Sequence, residues 1–316
     1  MKQLWRVLGM LSAAVLMSYF LLFAWRSFDT QAVVATFEQK NTIPVLLCST
    51  IFYMTIYPLA GMAWRQLLLK QGQDRPTGEL VEILCIAQLA KYVPGNFAQH
   101  ASRAALAIKR GIPVKPYVAT VVQETLLAVA ASVIVGTLLL LFVSKDISGL
   151  GEYREVLLLM LAASLAGVFI SCIDISNSTS HPIISRLYRI SGRLPGSAVT
   201  LRALAAYGFN YLMIGFGVWI LALPLGLTEN IDYSLATAAF SLSWVLGLLT
   251  PGAPAGLGAR EGMMTLILQG HGSSGQIVQL VLLVRVVSVL GDIASFVIAV
   301  IHAGVTSRGR LNSNEN

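Results

Sequence analysis

At two places in this chain an arginine stands nine residues beyond a Pro-Gly pair: Arg103 after Pro94-Gly95, and Arg260 after Pro251-Gly252. A guanidinium is a planar, permanently charged fork that meets phosphate with paired hydrogen bonds. Glu261 adjoins Arg260, while Arg285, Ser288 and Asp292 recur at i, i+3 and i+7, on one face of a helix. Thr120, Gln123 and Glu124 also share a face, and Lys91 lies just before the first Pro-Gly pair. Such a set suits the holding of an anion, with carboxylates to orient the arginines or exchange protons. It does not suit covalent or metal chemistry. No His/Asp/Glu set has metal spacing, no serine sits in a nucleophile elbow, and no phosphate-binding glycine loop follows a strand. Neither a metal nor a cofactor is expected, and a membrane-embedded enzyme is the weaker reading because the carboxylates form no acid/base pair.

Each of these residues also has a structural alternative. Arg103 and Arg260 either face a site or snorkel to the membrane surface. Arg285 and Asp292 either line a cavity or pair with one another. Glu124 and Glu261 either orient arginines or sit exposed at helix ends. Lys91 is secondary, since a cation is favoured at a helix C-terminus in any case.

The elements that must position these side chains follow from composition. Of 316 residues, 56% are hydrophobic and only 12% charged, too little polar surface to coat a water-soluble globule of this size. Apolar stretches of about 20 residues recur, the length a helix needs to cross about 30 Å of hydrocarbon. The spans expected are 5–25, 43–64, 117–143, 156–173, 201–223 and 276–302. The first is longer than a signal-peptide core and no small-x-small cleavage site follows it, so a retained helix is expected within 1–30. Cys48, Cys85 and Cys172 have no metal spacing and read as packing residues. The net charge of +7 comes without a basic cluster interleaved with aromatics, so nucleic acid is not expected as a partner.

Two apolar segments, 79–109 and 234–269, are broken at mid-length, one by Pro94-Gly95-Asn96 and the other by the run from Pro251-Gly252 to Gly256-Leu257-Gly258. Their halves are too short to cross alone. Broken segments of this kind can enter a membrane, turn where the backbone is satisfied, and return, so both are read as re-entrant helical hairpins. The fold class expected is an all-α polytopic membrane protein with about six transmembrane helices plus two re-entrant hairpins. Lys and Arg gather in the loops of one side, which puts both termini in the cytoplasm of a cell whose inner membrane the chain spans.

Aligning the two breaks produces two similar units, 43–143 and 201–303, each reading crossing, hairpin, crossing, and entered from opposite sides. Between them, 144–200 holds the fourth helix and a basic linker, and 304–316 is a tail. Inverted-topology repeats of this sort are used by transporters to build a site near the midplane. The returning helices would begin near Asn96 and Gly258, each aiming its positive end at a common anion site.

The stretch Lys91-Tyr92-Val93-Pro94-Gly95-Asn96 with Arg103, and the stretch Gly256-Leu257-Gly258-Ala259-Arg260-Glu261-Gly262 after Pro251-Gly252, resemble the lysylphosphatidylglycerol synthase transmembrane-domain family, flippase-like membrane proteins. Where that family's second motif has a Gly-Gly pair, this chain has Ala253-Pro254-Ala255 before Gly256. The resemblance implies a flippase-like transporter of an anionic lipid or lipid-linked sugar phosphate. Its alternative is a non-transporting subunit that binds a lipid carrier for a membrane glycosyltransferase or synthase of envelope polysaccharide or glycolipid. No soluble aminoacyltransferase domain is expected in this sequence, and a homo-oligomer is left open.

Overall fold

The computed structural model describes residues 30–92, 98–143, 154–173, 193–250 and 254–313. The expected crossing at 5–25 and the turn residues Pro94, Gly95, Asn96, Pro251 and Gly252 lie outside the described residues. Among the described residues all regular structure is helical: α1 (Thr30–Glu38), α2 (Thr42–Met54), α3 (Ile56–Lys70), α4 (Thr77–Gln88), α5 (Ala98–Lys109), α6 (Val114–Val143), α7 (Arg154–Cys172), α8 (Ser197–Leu221), α9 (Tyr233–Leu249), α10 (Ala259–Leu268) and α11 (Ser274–Ser313). Short 3-10 turns cover Leu89–Tyr92, Leu223–Leu225 and Pro254–Gly256. Helix α1 is not among the elements expected from the sequence.

Among the described residues, five helical stretches are long and apolar enough to cross a membrane: Thr42–Lys70, Val114–Leu141, Arg154–Cys172, Ser197–Leu225 and Ser274–Val305. They correspond to the five expected crossings that fall among the described residues, and the protein is an all-α polytopic membrane protein. The first joins α2 and α3 at Thr55. Pro58 has no N–H to offer the carbonyl of Met54, and the Thr55 hydroxyl donates to the Phe52 carbonyl at 2.6 Å, which bends a helix.

Burial ranks these helices. Helix α8 occupies the middle, with 61% of its apolar window buried, against 6% for α7. The outward faces of α7 carry Leu159, Phe169 and Ile170, apolar residues that only lipid would cover. Small residues let the central helices approach: a Cβ on Gly215 of α8 would fall 2.7 Å from the Cα of Thr237 on α9. The Ser49 hydroxyl of α2 donates to the Gly217 carbonyl of α8 at 2.8 Å, so polar groups knit the same contact.

In each broken segment the two described helices pack back on one another. Helix α5 packs back along α4, Gln99 donating to Gln88 at 2.7 Å near the tip while Arg110 pairs with Glu82 toward the mouth. The mouth is closed by Arg75, whose Nη2 donates to the Gly111 carbonyl at 2.7 Å. Helix α10 packs back on α9, and at that mouth His271 Nδ1 lies 2.9 Å from the Asn230 carbonyl. The two mouths lie at opposite ends of the bundle. Gln71, beside the first mouth, bonds Arg193 just ahead of α8. Gln276, beside the second, bonds Leu225 just beyond α8, which at 1.5 Å per residue is about 37 Å long.

The tips meet, the 3-10 turn Leu89–Tyr92 touching the 3-10 turn Pro254–Gly256. Several of the other helix contacts match in pairs, although those of α7 with α6 and α8 have no counterpart. α4 packs on α3 and α11, as α9 packs on α8 and α6; α5 touches α6 as α10 touches α11; and α2 meets α11 as α8 meets α6.

Candidate functional site

Where the hairpin tips meet, ionisable side chains gather. Asp292, on α11, is wholly buried. Its Oδ1 accepts from the hydroxyls of Tyr57 at 2.5 Å and Tyr53 at 3.3 Å, and its Oδ2 from the hydroxyl of Tyr92 at 2.5 Å. Lys91 Nζ completes the shell, 2.6 Å from Oδ2. A carboxylate with no water around it persists only when opposite charge and donors surround it, and here one ammonium and three hydroxyls do so.

Two turns earlier on α11, Arg285 Nη1 lies 3.5 Å from Glu261 Oε1 and donates to the Ala255 carbonyl at 3.2 Å. Glu261 is shared. Its other oxygen, Oε2, accepts from the Gly258 N–H at 2.7 Å, tying down the start of α10 and offsetting part of the positive end of that helix. Arg285 stands over the ring of Tyr92, 5.7 Å from its centroid, and Lys91 lies 5.3 Å from the same centroid.

Arg260 is the second residue of α10. Its guanidinium carbon lies 4.6 Å from the centroid of the Phe240 ring, which supports the flat face of the fork. Its Nη2 is buried and has no hydrogen-bond partner among the described residues. Arg260, Glu261, Met264, Val281, Val284 and Arg285 line a narrow crevice holding about 180 Å³ of open space. Counting Lys91, Arg260 and Arg285 against Asp292 and Glu261, the cluster carries one excess positive charge.

Arg103 belongs to a different cluster. Its Nη1 and Nη2 grip the two oxygens of Glu124 at 3.2 and 2.5 Å, and its carbon lies 4.0 Å from the centroid of the Trp64 ring. Trp64 in turn donates from Nε1 to the Thr120 hydroxyl at 3.0 Å. Gln123, one residue before Glu124, donates to the Arg193 carbonyl at 2.8 Å. The structure thus brings Lys91, Arg260, Glu261, Arg285 and Asp292 together, and holds Arg103, Gln123 and Glu124 among α3, α5, α6 and the segment before α8. Asp292 pairs with Lys91 rather than with Arg285.

Sequence reasoning passed over the three tyrosines and gave Lys91 a minor place. The signal was present: Tyr53 and Tyr57 stand at i and i+4 in an otherwise apolar span, so two hydroxyls share one face with no water to satisfy them. At the second tip, Ala255 adopts φ 51, Gly256 φ 71 and Gly258 φ 85. A Cβ on Gly256 would fall 2.8 Å from the Cα of Gly247, so this turn closes only on glycine.

A bundle of membrane-length helices around two packed-back helix pairs, with partly buried cations where their tips meet, defines a polytopic integral membrane protein. The chain belongs to the family described as the lysylphosphatidylglycerol synthase TM region, whose model matches residues 8–295. No curated protein matches the chain.

Proposed function

We propose that the protein is a flippase-like transporter that carries an anionic lipid or lipid-linked sugar phosphate between membrane leaflets, the headgroup phosphate binding to Arg260 and Arg285 in the crevice. The observation that carries this reading is Arg260: its buried Nη2 has no hydrogen-bond partner and it makes no ion pair among the described residues, and a second arginine stands on the same crevice wall. A cation in an apolar segment with a donor left over is costly unless an anion or water meets it.

The paired helix contacts and the opposite mouths of the hairpins support an inverted-topology repeat, in which both hairpins are re-entrant and one unit rocks against the other. The end of the bundle that carries Lys70, Arg75, Arg110, Lys115 and Arg202 suits the cytoplasm, and the end with Glu229 and Asp232 the outside of the inner membrane. The crevice is too narrow to admit a lipid headgroup as it stands, so passage of a headgroup requires the tips to part.

The test is reconstitution into liposomes holding a fluorescent anionic phospholipid in one leaflet. Wild type should equilibrate the label across the bilayer, and Arg260→Ala should not, while eluting as the same folded species. Lipid bound by wild type without movement would replace the transporter by a subunit that presents a lipid carrier to a synthase or glycosyltransferase.

A further inference from the structure

Charge where the tips meet is balanced pair by pair except at one residue. Lys91 meets Asp292 at 2.6 Å, and Arg285 meets Glu261 at 3.5 Å. Both carboxylates are held in place by further donors: three tyrosine hydroxyls on Asp292, and the Gly258 N–H on the second oxygen of Glu261. Arg260 is left over. Its Nη2 is buried without a hydrogen-bond partner, and it makes no ion pair among the described residues. Its main charged neighbours are Glu261, Arg285 and Asp292, members of the same cluster. The tips themselves add no charge, since segments 93–97 and 250–253 contain no ionisable side chain. Each hairpin also brings one helix C-terminus and one helix N-terminus to its tip, α4 with α5 and α9 with α10, so the partial charges of the helix ends oppose one another.

We infer that the site selects lipids whose headgroup is a phosphodiester with a single negative charge, and discriminates against phosphate monoesters and diphosphates, because Arg260 is the one charge of the cluster without a partner. This rests on the headgroup reading of the crevice. Inside protein and lipid a surplus charge of either sign is expensive, so the anion that leaves none is favoured. A phosphodiester set against Arg260 brings the cluster to zero. A monoester carries about −1.5 to −2 near neutral pH, and a sugar linked through a diphosphate carries one charge on each phosphate. Either leaves a negative surplus beside the buried carboxylates of Asp292 and Glu261. A glycerophospholipid and an isoprenoid phosphosugar both supply the phosphodiester, and the two sources are separable by experiment.

The experiment is calorimetric titration of the full chain in nonionic detergent near neutral pH. Two probes are phosphodiesters, short-chain phosphatidylglycerol and farnesyl phosphoglucose; the others are a monoester, farnesyl phosphate, and a diphosphate, farnesyl diphosphoglucose. Wild type should bind at least one phosphodiester about tenfold more tightly than the monoester or the diphosphate, and whichever phosphodiester binds names the source. Glu261→Gln keeps an acceptor for the Gly258 N–H but removes one negative charge, so the preference should turn toward farnesyl phosphate and farnesyl diphosphoglucose. Met264→Lys, an unbranched side chain of similar length on the crevice wall, adds one positive charge without touching Glu261. It should turn the preference the same way, and it serves in place of Glu261→Gln if that variant does not fold. Wild-type binding of the monoester or the diphosphate as tight as that of the phosphodiesters overturns the inference and leaves the headgroup site standing. A wild-type preference that a folded variant fails to shift does the same. Absence of binding by all the probes removes the headgroup reading and this inference with it.

Discussion

Arg103 spends both ends of its fork on Glu124, at 3.2 and 2.5 Å, whereas Arg260, equally far beyond its own Pro-Gly pair, makes no ion pair among the described residues. Two arginines in matching sequence positions therefore have opposite electrostatic situations. One is neutralised by a buried carboxylate, and the other is not, although each keeps one buried N–H without a hydrogen-bond partner among the described residues. Their substitutions should separate accordingly.

Removing Arg103 leaves Glu124 buried and unpaired, which costs about 3–5 kcal/mol. Arg103→Ala is expected to lower the midpoint of thermal unfolding in detergent sharply. The double change Arg103→Met with Glu124→Gln should recover much of that loss, because no bare charge remains. A double variant no more stable than the single one would contradict the account.

Arg260→Ala should do the reverse, leaving the unfolding midpoint near that of wild type or slightly above it. The loss should fall on lipid. Deleting one charge-assisted contact worth about 1.5–3 kcal/mol weakens binding by roughly 10- to 100-fold, measurable as phosphatidylglycerol copurifying with the protein.

The second hairpin tip carries a conformational cost at Ala255, whose φ of 51 is one that L-residues with a Cβ seldom adopt. Ala255→Gly should stabilise the protein by about 0.5–1 kcal/mol after allowing for the extra freedom of the unfolded chain. Gly256→Ala should be severely destabilising, since its Cβ meets the backbone of Gly247 at 2.8 Å and its φ is 71. Parallel melts of the two variants check both signs.

The hairpin mouths yield a topological expectation. In a chain whose Cys48, Cys85 and Cys172 are replaced by serine, cysteines at Gln73 and Gly111 should react with a membrane-impermeant maleimide from one side of the membrane, and a cysteine at Glu229 from the other. Labelling of positions 73 and 111 from opposite sides would make the first broken segment a full crossing.

Much of this architecture was legible in the sequence because lipid imposes a simple rule. A helix must be apolar for about 20 residues to cross, and a shorter segment broken by Pro and Gly must turn back. The spans at 117–143 and 201–223 met helices within a few residues of those bounds, 276–302 lies within a helix that runs on to Ser313, and in each broken segment the described helices pack back on one another. Arg260, Arg285 and Asp292 stood out for a related reason: charge inside an apolar segment is expensive enough to require a purpose. Helix α1 escaped notice because it is short and not distinctively apolar, and the bend at Thr55 because one threonine before a proline turn is a weak local signal.

What the sequence determined by itself was the solvent, the helices, the breaks and the family, all of which depend on residue type and spacing along the chain. Only the tertiary structure decided who pairs with whom. Asp292 is 201 residues from Lys91, its partner, and only seven from Arg285, which turns instead to Glu261. Seven residues put two side chains on one helix face but leave them two turns apart, whereas the meeting of the hairpin tips brings Lys91 within 2.6 Å of the carboxylate. Inside a membrane an ion pair forms where packing delivers the opposite charge, and packing is not written in the local order of residues.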